Sequence, residues 1–160
     1  MSDGNGSFII IFLILIVRFS NANLTSSPIQ GIAVDSSNNI YVVESSTNTV
    51  EKFNSSGTRV GSPFINGVSG CTLSTARHIA IASNGNIAVT SSGNNRLLIY
   101  NSAGTTCVAS VTSSPFSGNA PYGIAYHSSS NKFIVALNGS SAIVSISVTG
   151  TSATTIYSDT

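Results

Sequence analysis

Three side chains of unlike chemistry stand at matching places in this chain. Gln30, Arg77 and Tyr122 each sit one residue before a short apolar run: GIAVD at 31–35, HIAIA at 78–82 and GIAYH at 123–127. If those runs lie side by side, an amide, a guanidinium and a phenol meet around one axis. Such a set can grip a small anion or a sugar, because the planar guanidinium fork suits carboxylates and phosphates. The plainer alternative is a mixed polar loop with no ligand. The histidines, His78 and His127, fall at opposite ends of their runs and are not expected to converge on a metal. Within the repeated part of the chain the acidic residues are Asp35, Glu44 and Glu51. Asp35 belongs to a turn, and Glu51 falls in alternation with outward polar positions. No carboxylate pair is suited to acid–base work. There is no Gly-x-Ser-x-Gly elbow. No Gly-rich loop opens a helix, and no nucleotide fingerprint is present. No catalytic site is evident, and no cofactor is implied.

The elements that must position these side chains repeat. GIAVD (31–35), NIYVV (39–43) and TVEKF (49–53) are followed by HIAIA (78–82), NIAVT (86–90) and RLLIY (96–100). GIAYH (123–127), KFIVA (132–136) and AIVSI (142–146) complete the third copy. Ile32, Ile79 and Ile124 are spaced by 47 and 45 residues, and Phe53, Tyr100 and Ile146 by 47 and 46. The short runs are rich in Ile, Val and aromatics and bounded by Asn, Gly and Ser, as strands and tight hairpins should be. A period near 46 with no helical pattern inside it predicts β-propeller blades. The expected fold is all-β, with three four-stranded antiparallel units. Blade 1 covers about residues 28–65, blade 2 about 76–113 and blade 3 about 121–158. The outer strand of blade 1 is expected near residues 58–60.

The segments PIQGIAVD (28–35), NIYV (39–42) and VEKF (50–53) resemble an NHL repeat, and PYGIA (121–125) begins a second clear copy. The resemblance covers about residues 28–157. It implies a propeller, usually six-bladed. The family's Asp after the first strand is kept at Asp35 and replaced by Ala82 and His127, and its Asp after the second strand becomes Glu44, Ser91 and Asn138. Some NHL-like lyases hold a metal on channel histidines, and gluconolactonase-like propellers use an acidic calcium site. The departures above weaken both carry-overs. Propellers need about 4–8 blades. Three leave open blade faces, to be met by further blades of a longer chain, by a second copy completing a six-bladed ring, or not at all in an open arc. The ending at residues 157–160, just after a strand, suits the first of these.

Charge narrows the partners. Charged residues make up 7% of the 160-residue chain and the net charge is +1, so the basic stripe of a nucleic-acid binder is absent. Residues 8–17 read FIIIFLILIV, followed by Ser20-Asn21-Ala22. That run is too short to span a bilayer, which takes about 20 residues, and fits a signal peptide cleaved after Ala22. An uncleaved anchor and an apolar first strand are the alternatives. Residues 1–22 are therefore set apart from the blades. Cys71 and Cys107 suit one disulfide in an oxidising compartment, or two small buried hydrophobes. Asn23, Asn54 and Asn138 open glycosylation sequons. Together these readings predict a secreted or cell-surface binding module for a protein or glycan, with self-association as a further option. The alternative is part of a propeller lyase or lactonase with a channel metal.

Overall fold

Turn residues set the hairpins of this chain. Asn38, Asn48, Asn95 and Asn131 all take positive φ of 52–60°, a left-handed conformation that Asn tolerates better than most residues. Each closes a connection between two short apolar strands. The computed structural model describes residues 28–158 except Ser62 and Ser113. The apolar stretch 8–17, the cleavage point after Ala22 and the Asn23 sequon lie outside the described residues.

Among the described residues the strands form three antiparallel sheets. The first holds β1 (Ile29–Val34), β2 (Ile40–Glu44) and β3 (Thr49–Phe53). The second holds β4 (Ala76–Ile81), β5 (Ile87–Ser91), β6 (Arg96–Tyr100) and β7 (Cys107–Val111). The third holds β8 (Pro121–His127), β9 (Lys132–Leu137), β10 (Ala142–Ser147) and β11 (Ala153–Ser158). Each sheet is a simple meander in chain order. The first strands of the three sheets, β1, β4 and β8, pack side by side. The approach is close at Gly31. A Cβ there would lie 2.7 Å from the Arg77 carbonyl oxygen and 2.8 Å from the His78 Cα, so only glycine fits.

The cores lie between sheets. One cluster joins Tyr41, Val43 and Val50 of the first sheet to Ile79, Ile87, Leu98 and Tyr100 of the second. The other joins Ala80, Ala88, Leu97 and Ile99 of the second to Phe133, Val135, Val144 and Ile146 of the third. Alternate residues of β6 thus face opposite neighbours. That is why this strand reads as an unbroken apolar run, LLIY, with all four side chains fully buried.

The first sheet departs from the expected four strands. Residues 58–60 make only an isolated bridge, Phe53 with Arg59, beside β3, and Ile65 then bridges Val50. Gly61 turns the chain between the two pieces at φ 72°, and Pro63 has no N–H to give to a ladder. The outer strand is therefore broken into fragments. Glu51 also differs from expectation. It is buried at 2% exposure, because Arg59 folds back over β3 and pairs with it at 2.6 Å.

Cys71 and Cys107 are joined in a disulfide. It ties the connection between the first two sheets to the outer strand β7. Closing a loop of 36 residues restrains the unfolded chain. Replacing both cysteines by Ala is expected to lower the unfolding free energy by about 4 kcal/mol in urea denaturation. Leu97→Ala, which empties a fully buried site between two sheets, is expected to cost about 3 kcal/mol in the same assay. Equal stability of either variant and the parent would contradict the packing described.

Candidate site at the head of the inner strands

Each inner strand opens with an irregularity. The register of β1 on β2 shifts between Ile29 and Gly31, that of β4 on β5 between Ala76 and Ile79, and that of β8 on β9 between Pro121 and Ile124. Gln30, Arg77 and Tyr122 sit inside these three shifts. A bulge re-aims the side chain it carries, and a bulge at the same place in three neighbouring strands re-aims three side chains together.

The structure brings all three residues into one cluster. Arg77 Nη1 donates to Gln30 Oε1 at 3.4 Å, and Arg77 Nε donates to Ser92 Oγ at 3.3 Å. The guanidinium carbon lies 5.1 Å from the Tyr122 ring centre, within cation–π reach. His78 joins from the adjacent position, its ring centre 5.5 Å from that of Tyr122. The frame beneath is tied together by part-buried hydrogen bonds. Thr90, fully buried, accepts from His78 N at 2.9 Å and donates to the Tyr122 carbonyl at 2.8 Å, which locks β4 to β8. Ser92 donates to the Thr75 carbonyl at 3.0 Å and so holds the acceptor that orients Arg77. No carboxylate pairs with Arg77 among the described residues, whose ion pair is Arg59–Glu51. The cluster therefore presents an uncompensated guanidinium beside an aromatic face.

Sequence reading did not identify the parts played by His78, Thr90 and Ser92 here. The signal for Thr90 was a hydroxyl standing where the first unit has Val43. His127 does not join the cluster. It lies at the far end of β8, its Nδ1 2.7 Å from Ser130 Oγ, roughly 16 Å along the strand from Tyr122 at a rise of about 3.3 Å per residue. Among the described residues no three His, Cys, Asp or Glu side chains gather as a metal site. Glu44 accepts from Thr47 at 3.1 Å. Asn54 spends its carbonyl oxygen on the turn that follows it, accepting from Ser56 N and Thr58 N, whereas Asn138 is exposed.

The opposite end of the inner strands is organised by Asp35. One of its oxygens accepts from Ser37 N and Asn39 N, and the other from Asn39 Nδ2 and the Tyr41 hydroxyl, at 2.8–3.0 Å. Partial burial acts to raise its pKa, but the bonds from Asn39, Tyr41 and Ser37 outweigh it and hold the carboxyl below the usual carboxylate range. Burial, with Asp35 adding to it, pushes the Tyr41 hydroxyl up. Because the folded carboxyl has the lower pKa, its stabilising effect is complete above the ordinary value near 3.8. It is lost as pH falls through the depressed folded value. Asp35→Asn should therefore flatten the acid limb of the stability profile. Unfolding free energies measured from pH 6 downward check this, and an unchanged slope in the variant would refute it.

No family model matches the chain, and no curated protein matches it. Solved structures do. A structure from a nidogen/laminin complex matches over 84% of this chain and 49% of its own, at 18% identity and a TM-score of 0.68. A catalytically inactive virginiamycin B lyase from Staphylococcus aureus, solved with quinupristin, matches over 85% and 43%, at 16% identity and TM-score 0.68. The RRP9 WD40 repeats match over 82% and 39%, at 16% identity and TM-score 0.64. Likenesses at such identities carry the fold and no activity, and each spans less than half of the matched chain: what they show is that this protein is a run of β-propeller blades.

Proposed function

We propose that this chain is an NHL-type stretch of propeller, exported from the cell, that binds a protein or glycan partner at the head of its inner strands and is not an enzyme. The observation that carries this reading is the convergence of Gln30, Arg77 and Tyr122 in three register-matched bulges. Evenly repeated irregularities that gather a cation, an amide and a ring suit recognition. Chemistry would need a nucleophile or proton-transfer pair within reach. The fold alone decides nothing here, because it hosts binders and lyases alike. The NHL reading rests on the residues of 28–35 and 121–125. Export is supported by the Cys71–Cys107 bond, which persists in oxidising compartments, together with the apolar stretch 8–17. No helix among the described residues is long and apolar enough to cross a membrane.

A metal-dependent lyase or lactonase is the competing class, and the separation of His78 from His127 along the strands argues against it. The test is a glycan array and a pull-down with the folded protein, each repeated with Arg77→Ala. A partner should be captured, and the variant should bind it at least tenfold more weakly. Capture that is indifferent to Arg77 would remove the site from the reading. Stoichiometric zinc or calcium in purified protein would favour the lyase or lactonase.

A further inference from the structure

The two junctions between sheets use equivalent positions but close differently. In the repeat register Asp35, Asn39, Tyr41 and Lys52 match Ala82, Asn86, Ala88 and Ile99, and Ser102 matches Val148. Between the second and third sheets the junction is sealed. Ile99 is fully buried, Val148 is 7% exposed, and both belong to one apolar cluster. Asn86 Nδ2 reaches across to donate to the Val148 carbonyl at 3.0 Å.

Between the first and second sheets each of these features is reversed. Lys52 stands in place of Ile99, and Ser102 in place of Val148. Asn39 gives its side-chain N–H to Asp35 at 2.8 Å. Asp35, in place of Ala82, holds Asn39 and Tyr41 at its own turn. The junction opens as a cleft of about 520 Å³, with Lys52, Ser83, Ser102 and Tyr126 on its polar wall and Val34 and Ile81 on its apolar one. That volume falls within the roughly 300–1,000 Å³ of small-ligand sites.

We propose that this cleft binds an acidic saccharide, a hydroxylated ring bearing a carboxylate. Two charged groups line the cleft, Asp35 and Lys52, and they are not equally engaged. Each Asp35 oxygen already accepts two hydrogen bonds, which fills the carboxylate's capacity of about four. Asp35 therefore keeps its negative charge but has no lone pair left for a ligand's hydroxyls, so it shapes the wall and directs a ligand anion to the Lys52 side. The Lys52 ammonium lies 4.9 Å from the Tyr41 ring centre and 4.8 Å from that of Phe64, and no carboxylate pairs with it among the described residues. The rings hold the cation in place, leaving its charge for a ligand anion. In the same lining the Ser102 hydroxyl can donate and accept, as a sugar ring requires; Ser83 and Tyr126 are bonded to each other and Tyr126 to Asn131, and Val34 and Ile81 line the apolar side. The site lies at the opposite ends of the inner strands from Arg77, so it does not depend on the reading given above for that cluster.

The experiment is a calorimetric and NMR titration of the full chain with glucuronate, glucose and acetate, repeated on three variants. Lys52→Gln removes the cation. The double variant Lys52→Ile with Ser102→Val rebuilds the sealed junction already present between the second and third sheets. Arg77→Gln alters only the other site. Saturable binding of glucuronate is expected, at least tenfold tighter than glucose or acetate. Lys52→Gln and the double variant should each weaken it at least tenfold, and Arg77→Gln should leave it within twofold. Absence of saturable glucuronate binding in chain with a dispersed spectrum overturns the proposal. So does binding that survives the double variant, or acetate or glucose bound as tightly as glucuronate. Loss of binding in Arg77→Gln alone would move the ligand to the other site.

Discussion

Among the described residues, no sheet buries its apolar faces by itself. Each relies on the face of the next sheet, and that dependence organises everything else. The strand β6 illustrates it: Leu97 and Ile99 pack on the third sheet while Leu98 and Tyr100 pack on the first. Where a neighbouring face is present, equivalent positions disappear from solvent. Ile79 is 5% exposed against the first sheet, whereas its counterpart Ile32 on the first sheet is 61% exposed. Val50 and Leu97 are fully buried, whereas their counterpart Ile143 on the third sheet is 40% exposed. The hydrophobic driving force here belongs to pairs of sheets.

The same stacking builds the two polar clusters at the strand ends. Packing β1 against β4 so closely that Gly31 admits no side chain draws Gln30 within reach of Arg77. Packing β4 against β8, with Thr90 bonded to both, sets Tyr122 under the guanidinium and His78 beside the ring. Bulges at the strand heads then turn these side chains together. At the other end, polar replacements at one junction keep two sheets from sealing. Core packing and site formation are thus two consequences of one geometry: strands side by side, with their ends free to differ.

Neutral polar chemistry covers the rest. With so few ions, turns are closed by Asx and hydroxyl hydrogen bonds, as at Asn54 and Asn101, and several charges of the described residues have defined settings. Glu51 and Arg59 pair across the broken outer strand of the first sheet. Arg77 and Lys52 rest on aromatic rings. A cation kept on a ring retains its charge for a ligand.

The sequence by itself determined the repeat and its strands. Alternating Ile, Val and aromatic residues, cut by Asn and Gly at a period near 46, leave little choice but short antiparallel hairpins, because propensity and turn chemistry are local. It also placed Gln30, Arg77 and Tyr122 at equivalent positions, and it left the pairing of Cys71 with Cys107 open against two buried thiols. Only the tertiary structure decided what depends on contacts across sheets. The bulges that turn the three side chains together could not be read from spacing. Neither could the burial of Glu51, since its charge is compensated by Arg59 folding back from beyond the strand. The opening at the first junction was hidden for the same reason: Asp35, Tyr41, Lys52 and Ser102 lie apart along the chain, and only the stacking of one blade on the next makes them a single surface.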